Sequence, residues 1–372
     1  MKRLRLAVIG GGHLGRIHAR LLSGLDDVEL AGVVDPSAEA RREVEQLCGA
    51  PSYASHHELL GRIDAAVLAA PTRLHHELGL ELIRQGVHLL VEKPLASSSH
   101  QAERLVQAAE ARRVVLQVGH VERFNPAWTA ARALVHAPRY VDVVRCSGFT
   151  FRSTDIGVVL DLMIHDLDLL LSLTEAEVVA VEALGVSLFG PHEDLAQARL
   201  TFADGCVANV AASRASFQPQ RKMHIYGAEG YVGIDFAART ARAVRPQPTL
   251  LRGRFDPDAL DAAEKAYLQE HLFQELLRLE EVAVDDRNAL LDELRAFVAS
   301  VQQSRTPPVT GQQACAALRL GERILEQIRL HRWSAGPGAT SGPLAAAGAQ
   351  VLPGPHFLRA PAATPGGERK AG

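Results

Sequence analysis

Cysteine is scarce: 372 residues hold four, Cys48, Cys146, Cys206 and Cys315, all far apart. That spacing excludes a disulfide scaffold and offers neither a C-x-x-C redox pair nor a structural zinc set. Long apolar runs are missing as well. No stretch reaches the roughly 18 uninterrupted apolar residues of a membrane-spanning helix. The short run after Lys2 and Arg3 is broken at once by glycines, unlike a secretory leader. Nor is there an excess of positive charge. Forty Lys and Arg stand against 43 Asp and Glu, for a formal net charge of −3, without the basic face of a nucleic-acid binder. No H-E-x-x-H or comparable set announces a metal. What remains is a cytoplasmic protein expected to bind no nucleic acid, membrane or metal.

The hydrophobic content, 47%, can fill a sizeable core in each of two domains. Up to residue 120, continuous apolar runs at 4–9, 28–34, 65–70, 88–91 and 114–118 alternate with segments of helical spacing at 13–24, 38–48, 75–86 and 99–112. Continuous runs suit parallel strands covered on both faces, so 1–120 is expected to be a Rossmann domain with a doubly wound parallel sheet. From 121 the order changes. A helix near 156–172 is followed by strand-like segments such as 178–188, 196–202, 206–212 and 222–226, without helices between them. This predicts, over 121–333, an α/β domain with a large mixed or antiparallel sheet, its open face free for a partner subunit and hence for homo-oligomerisation. Helices are expected at 287–303 and 311–331, while 258–283 fits either period. Residues 334–372, rich in Gly, Ala and Pro, are expected to form a disordered tail.

Gly10-Gly11-Gly12-His13-Leu14-Gly15 satisfies G-x-G-x-x-G directly after a strand and at the opening of a helix, and the second strand ends in Asp35. Gly10 permits the tight turn, Gly12 lets backbone amides approach a pyrophosphate, and Gly15 allows helix and strand to pack closely. The helix start faces the phosphates with its partial positive charge. Asp35 would accept from the adenosine ribose hydroxyls and repel a 2′-phosphate, which favours NAD over NADP, although Arg41 and Arg42 stand nearby. Thr72 and His75, after the third strand, are further candidate cofactor contacts.

Glu92-Lys93-Pro94 closes the fourth strand, at the edge of the sheet where ligands bind. Lys93 could donate to a substrate oxygen beside the cofactor, and Glu92 could anchor the turn or face the ribose. Asp161 and His165 stand four residues apart on an apolar helix and so share a face. His165 could take a hydroxyl proton as hydride leaves the same carbon, with Asp161, or Asp168 three residues on, as its orienter. His120, Arg123 and Asn125 follow the last Rossmann strand, and Arg152 precedes the Asp161 helix. Each is a candidate grip on sugar hydroxyls or a diphosphate.

Taken jointly, Gly10 to Gly15, Asp35, Glu92-Lys93-Pro94 and the Asp161 and His165 pair resemble the Gfo/Idh/MocA oxidoreductases, which include glucose-fructose oxidoreductase and inositol dehydrogenases. The resemblance runs from Leu4 to about Arg332. It implies a Rossmann domain followed by an α/β domain whose open sheet mediates dimers or tetramers. It also implies that Lys93 and His165 are the catalytic pair, supported by Asp161, with hydride passing to C4 of the nicotinamide. A finer resemblance lies in Gly119-His120-Val121-Glu122-Arg123-Phe124-Asn125-Pro126 and in 155–160. Both look like the branch that oxidises C3 of UDP-N-acetylglucosamine before an aminotransferase installs an amine. Inositol-type members more often carry glycine two residues before the histidine, where this chain has Met163. Alternative substrates are UDP-N-acetylglucosaminuronic acid and a free polyol or sugar. A non-catalytic NAD-binding sensor, the alternative of another class, would be expected to lose Lys93 and His165.

Overall fold

The computed structural model describes residues 3–151, 154–253, 255–333 and 341–343. The apolar runs of the first third become β1 (Leu4–Ile9), β2 (Val28–Val34), β3 (Ser52–Tyr53), β4 (Ala65–Leu68), β5 (His88–Glu92) and β6 (Leu116–Gly119). They form one parallel sheet in the order β3-β2-β1-β4-β5-β6. Every residue of β4 is buried, as cover on both faces requires. That cover comes in part from α1 (His13–Leu22), α2 (Ala38–Cys48), α3 (Thr72–Arg84) and α4 (Ser99–Arg112). Strand order reverses at β1 and β4, which opens the ligand crevice of a doubly wound sheet at their carboxyl ends.

Beyond β6 come α5 (Pro126–Arg132), β7 (Pro138–Cys146), a single π-helical turn (Val159–Met163) and α6 (Ile164–Leu173). Six strands follow: β8 (Val178–Val186), β9 (Leu195–Phe202), β10 (Val207–Ser213), β11 (Gln220–Gly227), β12 (Gly230–Asp235) and β13 (Thr240–Pro246). The stretch that fitted either period resolves into α7 (Pro248–Leu251), α8 (Ala262–Glu270), α9 (Leu272–Glu275) and the strand β14 (Leu277–Val282). Its apolar run straddles a helix end and a strand start, which is why neither period won. The second sheet runs β14-β13-β12-β11-β7-β10-β9-β8, with β7 and β10 parallel and the other neighbours antiparallel. This is the mixed sheet expected from 121 onward.

Along β9 the alternation is sharp: Ala196, Ala198 and Leu200 are buried, whereas Leu195, Gln197 and Arg199 are exposed. One face of the sheet therefore joins the core and the other is open. Two helices complete the chain, α10 (Ala289–Gln302) and α11 (Gly311–Leu330). α10 returns to the first sheet, where Leu294, Phe297 and Val298 pack with Leu6, Val8 and Leu90. α11 touches α4 and β6 on one side and α6 and β8 on the other, and so bridges the two sheets.

Of the expected tail, 334–340 and 344–372 lie outside the described residues. Residues 341–343 are tied down rather than loose: Gly342 N–H donates to His331 O at 2.9 Å and Trp333 Nε1 donates to Gly342 O at 3.0 Å. Among the described residues no helix is long and apolar enough to cross a membrane. All four cysteines are free, and burial pushes the Cys206 thiol up to about 11.

Candidate active site

Gly10, at φ +109°, makes the turn out of β1, and a Cβ there would lie 2.6 Å from the carbonyl oxygen of Ala69. A Cβ on Gly15 would strike the carbonyl of Gly10, so these two glycines let the turn, α1 and the end of β4 meet. Gly12 differs, because a Cβ there would meet nothing within 4 Å. It is the N-cap of α1 and supplies no side-chain cap, and Gly12, His13 and Leu14 are exposed. The first N–H groups of α1 thus face an open cradle that suits a pyrophosphate.

Asp35 Oδ2 accepts from Gly11 N–H and its Oδ1 from Ser37 N–H, both at 2.8 Å. The carboxylate therefore stands at the rim of the cradle. Arg41 Nη1 donates to the carbonyls of Asp35 and Pro36 at 2.7 and 3.0 Å, which places a cation beside the same rim. Thr72 is half-buried at the first position of α3.

Two residues expected to touch cofactor do other work. His75 is buried, with Nδ1 at 3.0 Å from Pro94 O and Nε2 at 2.8 Å from Ala70 O. It clamps the β4 turn to the Lys93-Pro94 turn, whose peptide bond is cis. Glu92 is likewise buried, with Oε1 2.6 Å from His18 Nε2 on α1. Burial pushes its carboxyl up, but the hydrogen bond and charge of His18 prevail and hold it below the ordinary range. Glu92 is thus an internal strut between α1 and β5.

Lys93 projects from that turn to the start of the helical segment. Its Nζ donates to Asp161 O at 2.7 Å and to Asp161 Oδ1 at 2.9 Å. The expected pairing of Asp161 with His165 is absent. Asp161 sits in the π turn and holds the lysine instead, while Asp168 is taken by Arg123, so neither carboxylate orients the histidine. His165 Nδ1 is buried without a hydrogen-bond partner among the described residues. His120, from the end of β6, stands edge-on to it with ring centroids 6.1 Å apart, and both of its nitrogens are buried and without a partner among the described residues. Burial, and then the positive charges of Lys93 and Arg145, push the His165 imidazole well below its ordinary value. Burial also lowers His120. The site thus gathers one ammonium and two neutral imidazoles.

What fixes this helix was not visible in the motif. Arg145, buried on β7, forks onto both oxygens of Asp166 at 2.7 Å and gives Nη1 to Glu122 Oε1 at 2.7 Å. Arg123 forks onto Asp168 through Nε at 2.6 Å and Nη2 at 3.0 Å. The two arginines clasp α6 on either side of His165. Arg123 is therefore a clasp rather than a grip on substrate. Asn125 is also spent internally: its Oδ1 caps α5 by accepting from Ala127 N–H, and its Nδ2 donates to Glu122 Oε2 and Phe236 O. Arg152 lies outside the described residues. A cation that the sequence reading missed, Arg221 at the start of β11, is exposed and its charge reaches His165. The one group of metal-ligating side chains among the described residues, His56, His57 and Glu81, lies elsewhere, on a 3-10 turn and α3.

Residues 4–120 match the model of an oxidoreductase family with an NAD-binding Rossmann fold, and residues 117–233 match that of a GFO/IDH/MocA C-terminal domain. The chain is 41% identical over 241 residues to the UDP-N-acetylglucosamine 3-dehydrogenase of Acidithiobacillus ferrooxidans, a match covering 64% of this chain and 76% of that protein. A solved structure of the same enzyme superposes with a TM-score of 0.77, at 34% identity over 88% of this chain and 98% of that one. The myo-inositol 2-dehydrogenase of Thermotoga maritima is 26% identical over 356 residues, covering 88% of this chain and 97% of that protein. A structure of GenD2 from gentamicin A biosynthesis in complex with NAD gives a TM-score of 0.71 at 25% identity, over 88% of this chain and 95% of that one.

Proposed function

The chain belongs to the Gfo/Idh/MocA oxidoreductases, dehydrogenases acting on CH–OH groups with a nicotinamide cofactor, and we propose that it oxidises C3 of UDP-N-acetylglucosamine with NAD in the cytoplasm. The observation that carries this reading is the Lys93 ammonium, pinned by Asp161 beside an unpartnered and neutral His165. The 41% identity to a UDP-N-acetylglucosamine 3-dehydrogenase supports the substrate.

In this reading Gly10, Gly12 and Gly15, with His13 and Leu14, form the cradle for the pyrophosphate, and Asp35 takes the adenosine ribose. Thr72 lies along the same edge. NAD supplies the hydride acceptor. Lys93 donates to the reacting oxygen and stabilises the charge that develops there, while Asp161 holds its ammonium in place. His165 Nε2 takes the hydroxyl proton, for which a neutral imidazole is the required form. His120 lines the sugar pocket, and Arg221 is the cation that we assign to the diphosphate. We place the division between the nucleotide-binding and substrate-binding domains at residue 120, with self-association through the open face of the second sheet.

A free polyol is the second reading, supported by the match to a myo-inositol 2-dehydrogenase along nearly its whole length. Purified protein incubated with NAD and UDP-N-acetylglucosamine should yield NADH and a product lighter by two hydrogens in mass spectrometry. Turnover of UDP-N-acetylglucosaminuronic acid or myo-inositol in its place would move the substrate assignment and leave the roles of Lys93 and His165 standing.

A further inference from the structure

Behind the Lys93 turn lies a set of buried polar groups that the reaction does not use. His18 of α1, Glu92 of β5, Gln117 of β6 and Glu293 of α10 are each 7% exposed or less. β5 and β6 pair Leu90 with Gln117 and Glu92 with Gly119, and the two-residue period sends all four to one face. That face is the one covered by α1 and α10, since Leu90 packs with Ala19 and Leu22 of the former and Leu294 and Phe297 of the latter. Gly119 leaves room for the Glu92 carboxylate, for a Cβ there would come within 2.9 Å of Oε2. Gln117 Nε2 donates to the carbonyl of Glu293 at 3.1 Å and ties α10 to β6.

Four atoms of this face have no hydrogen-bond partner among the described residues: both carboxyl oxygens of Glu293, Gln117 Oε1 and His18 Nδ1. Cations on the surrounding elements are committed elsewhere. His18 serves Glu92, Lys93 serves Asp161, Arg123 serves Asp168, Arg145 serves Glu122 and Asp166, and Arg287 and Arg295 flank Asp292. The charge that Glu293 does meet is that of Glu92, which is of its own sign. An ionised carboxylate buried without a donor or a counter-ion is far costlier than its neutral acid.

We propose that Glu293 is held as a neutral carboxylic acid in the native protein and is a positioning residue, its O–H shared with the acceptors Gln117 Oε1 and Glu92 so that α10 is fastened to the strand that ends in Lys93. Burial, and then the Glu92 charge, push its carboxyl well above the ordinary value. The unfolded chain would ionise this group near about 4.3. Between that value and the raised native one, the native state binds one proton more than the unfolded chain. Stability therefore falls as pH rises across that window, by up to about tenfold in the folding equilibrium per pH unit.

The test compares wild type with Glu293→Gln, which keeps shape and donor without a titrating proton, by denaturant unfolding from pH 5 to pH 8. The advantage of the glutamine variant should widen with each pH unit, and parallel curves would overturn the proposal. A second measurement needs no variant: the infrared spectrum of the wild type at neutral pH should contain a protonated-carboxyl stretch, and its absence is equally fatal. Hydrogen exchange then addresses positioning. Glu293→Leu should speed amide exchange across 88–93 and Glu293→Gln should restore it, whereas equal exchange in both would remove the fastening role. None of these measurements needs substrate, so a failed assignment of the reaction leaves them intact.

Discussion

The two ends of the crevice are built on different terms. At the cofactor end, a run of six residues, Gly10 to Gly15, makes the cradle from backbone, and the side chain that completes it, Asp35, is held by the N–H groups of Gly11 and Ser37. At the substrate end, Lys93, His120, Asp161 and His165 come from a strand end, a second strand end, a π turn and a helix, and the buried Arg145 and half-buried Arg123 hold the frame. Local backbone geometry makes the first end. Long-range charge pairing makes the second, which predicts that the two ends respond differently to mutation.

The sharpest separation should come from Lys93→Ala and His165→Ala. Each is expected to lower kcat by about 10²–10⁴-fold while NADH binding, followed by fluorescence, stays near wild type. A matching collapse of NADH affinity would erase the distinction between the ends. Next in size, Arg145→Ala leaves Asp166 and Glu122 buried without their cation and should cost about 3–5 kcal/mol of stability in denaturant unfolding. A loss near zero would mean that the clasp on α6 does not hold it. At the cofactor end, Asp35→Ala should move the NAD to NADP preference toward NADP by about tenfold, the worth of one charge-assisted hydrogen bond. An unchanged ratio of kcat/KM values would take the ribose role from Asp35. The smallest effect concerns pH. Because the His165 imidazole is pushed down, it stays unprotonated as pH falls past the ordinary histidine value of about 6.5. The acid limb of the kcat/KM profile should therefore lie below that value, and a limb at or above it would assign the proton to another group.

The same contrast explains what could be read in advance. The parallel sheet, the four helices between its strands and the glycine turn were legible because each is written in contiguous residues with one period. β3, only two residues long, was too short to register. β7 escaped because it hides a buried Arg145 where an apolar residue would mark a core strand. Lys93 and His165 were legible as residues of a motif, but their partners were not. Spacing of four on an ideal helix pairs Asp161 with His165, and the π turn gives Asp161 to Lys93 instead. For Arg123 and Asn125, candidate grips on substrate by their place in the sequence, nothing local announces Asp168 or Phe236 as a partner.

The π turn at 159–163 also sets a rule of length. Successive residues of an α-helix are about 100° apart around its axis, and a π turn accommodates one extra residue without disturbing what lies beyond. Removing a single residue between Val159 and Met163 would relax the turn to α-geometry and swing either Asp161 away from Lys93 or His165 away from the cleft. Segments on this stretch should thus be interchangeable between related proteins only when their residue count is identical, because the count itself keeps Asp161 and His165 in phase.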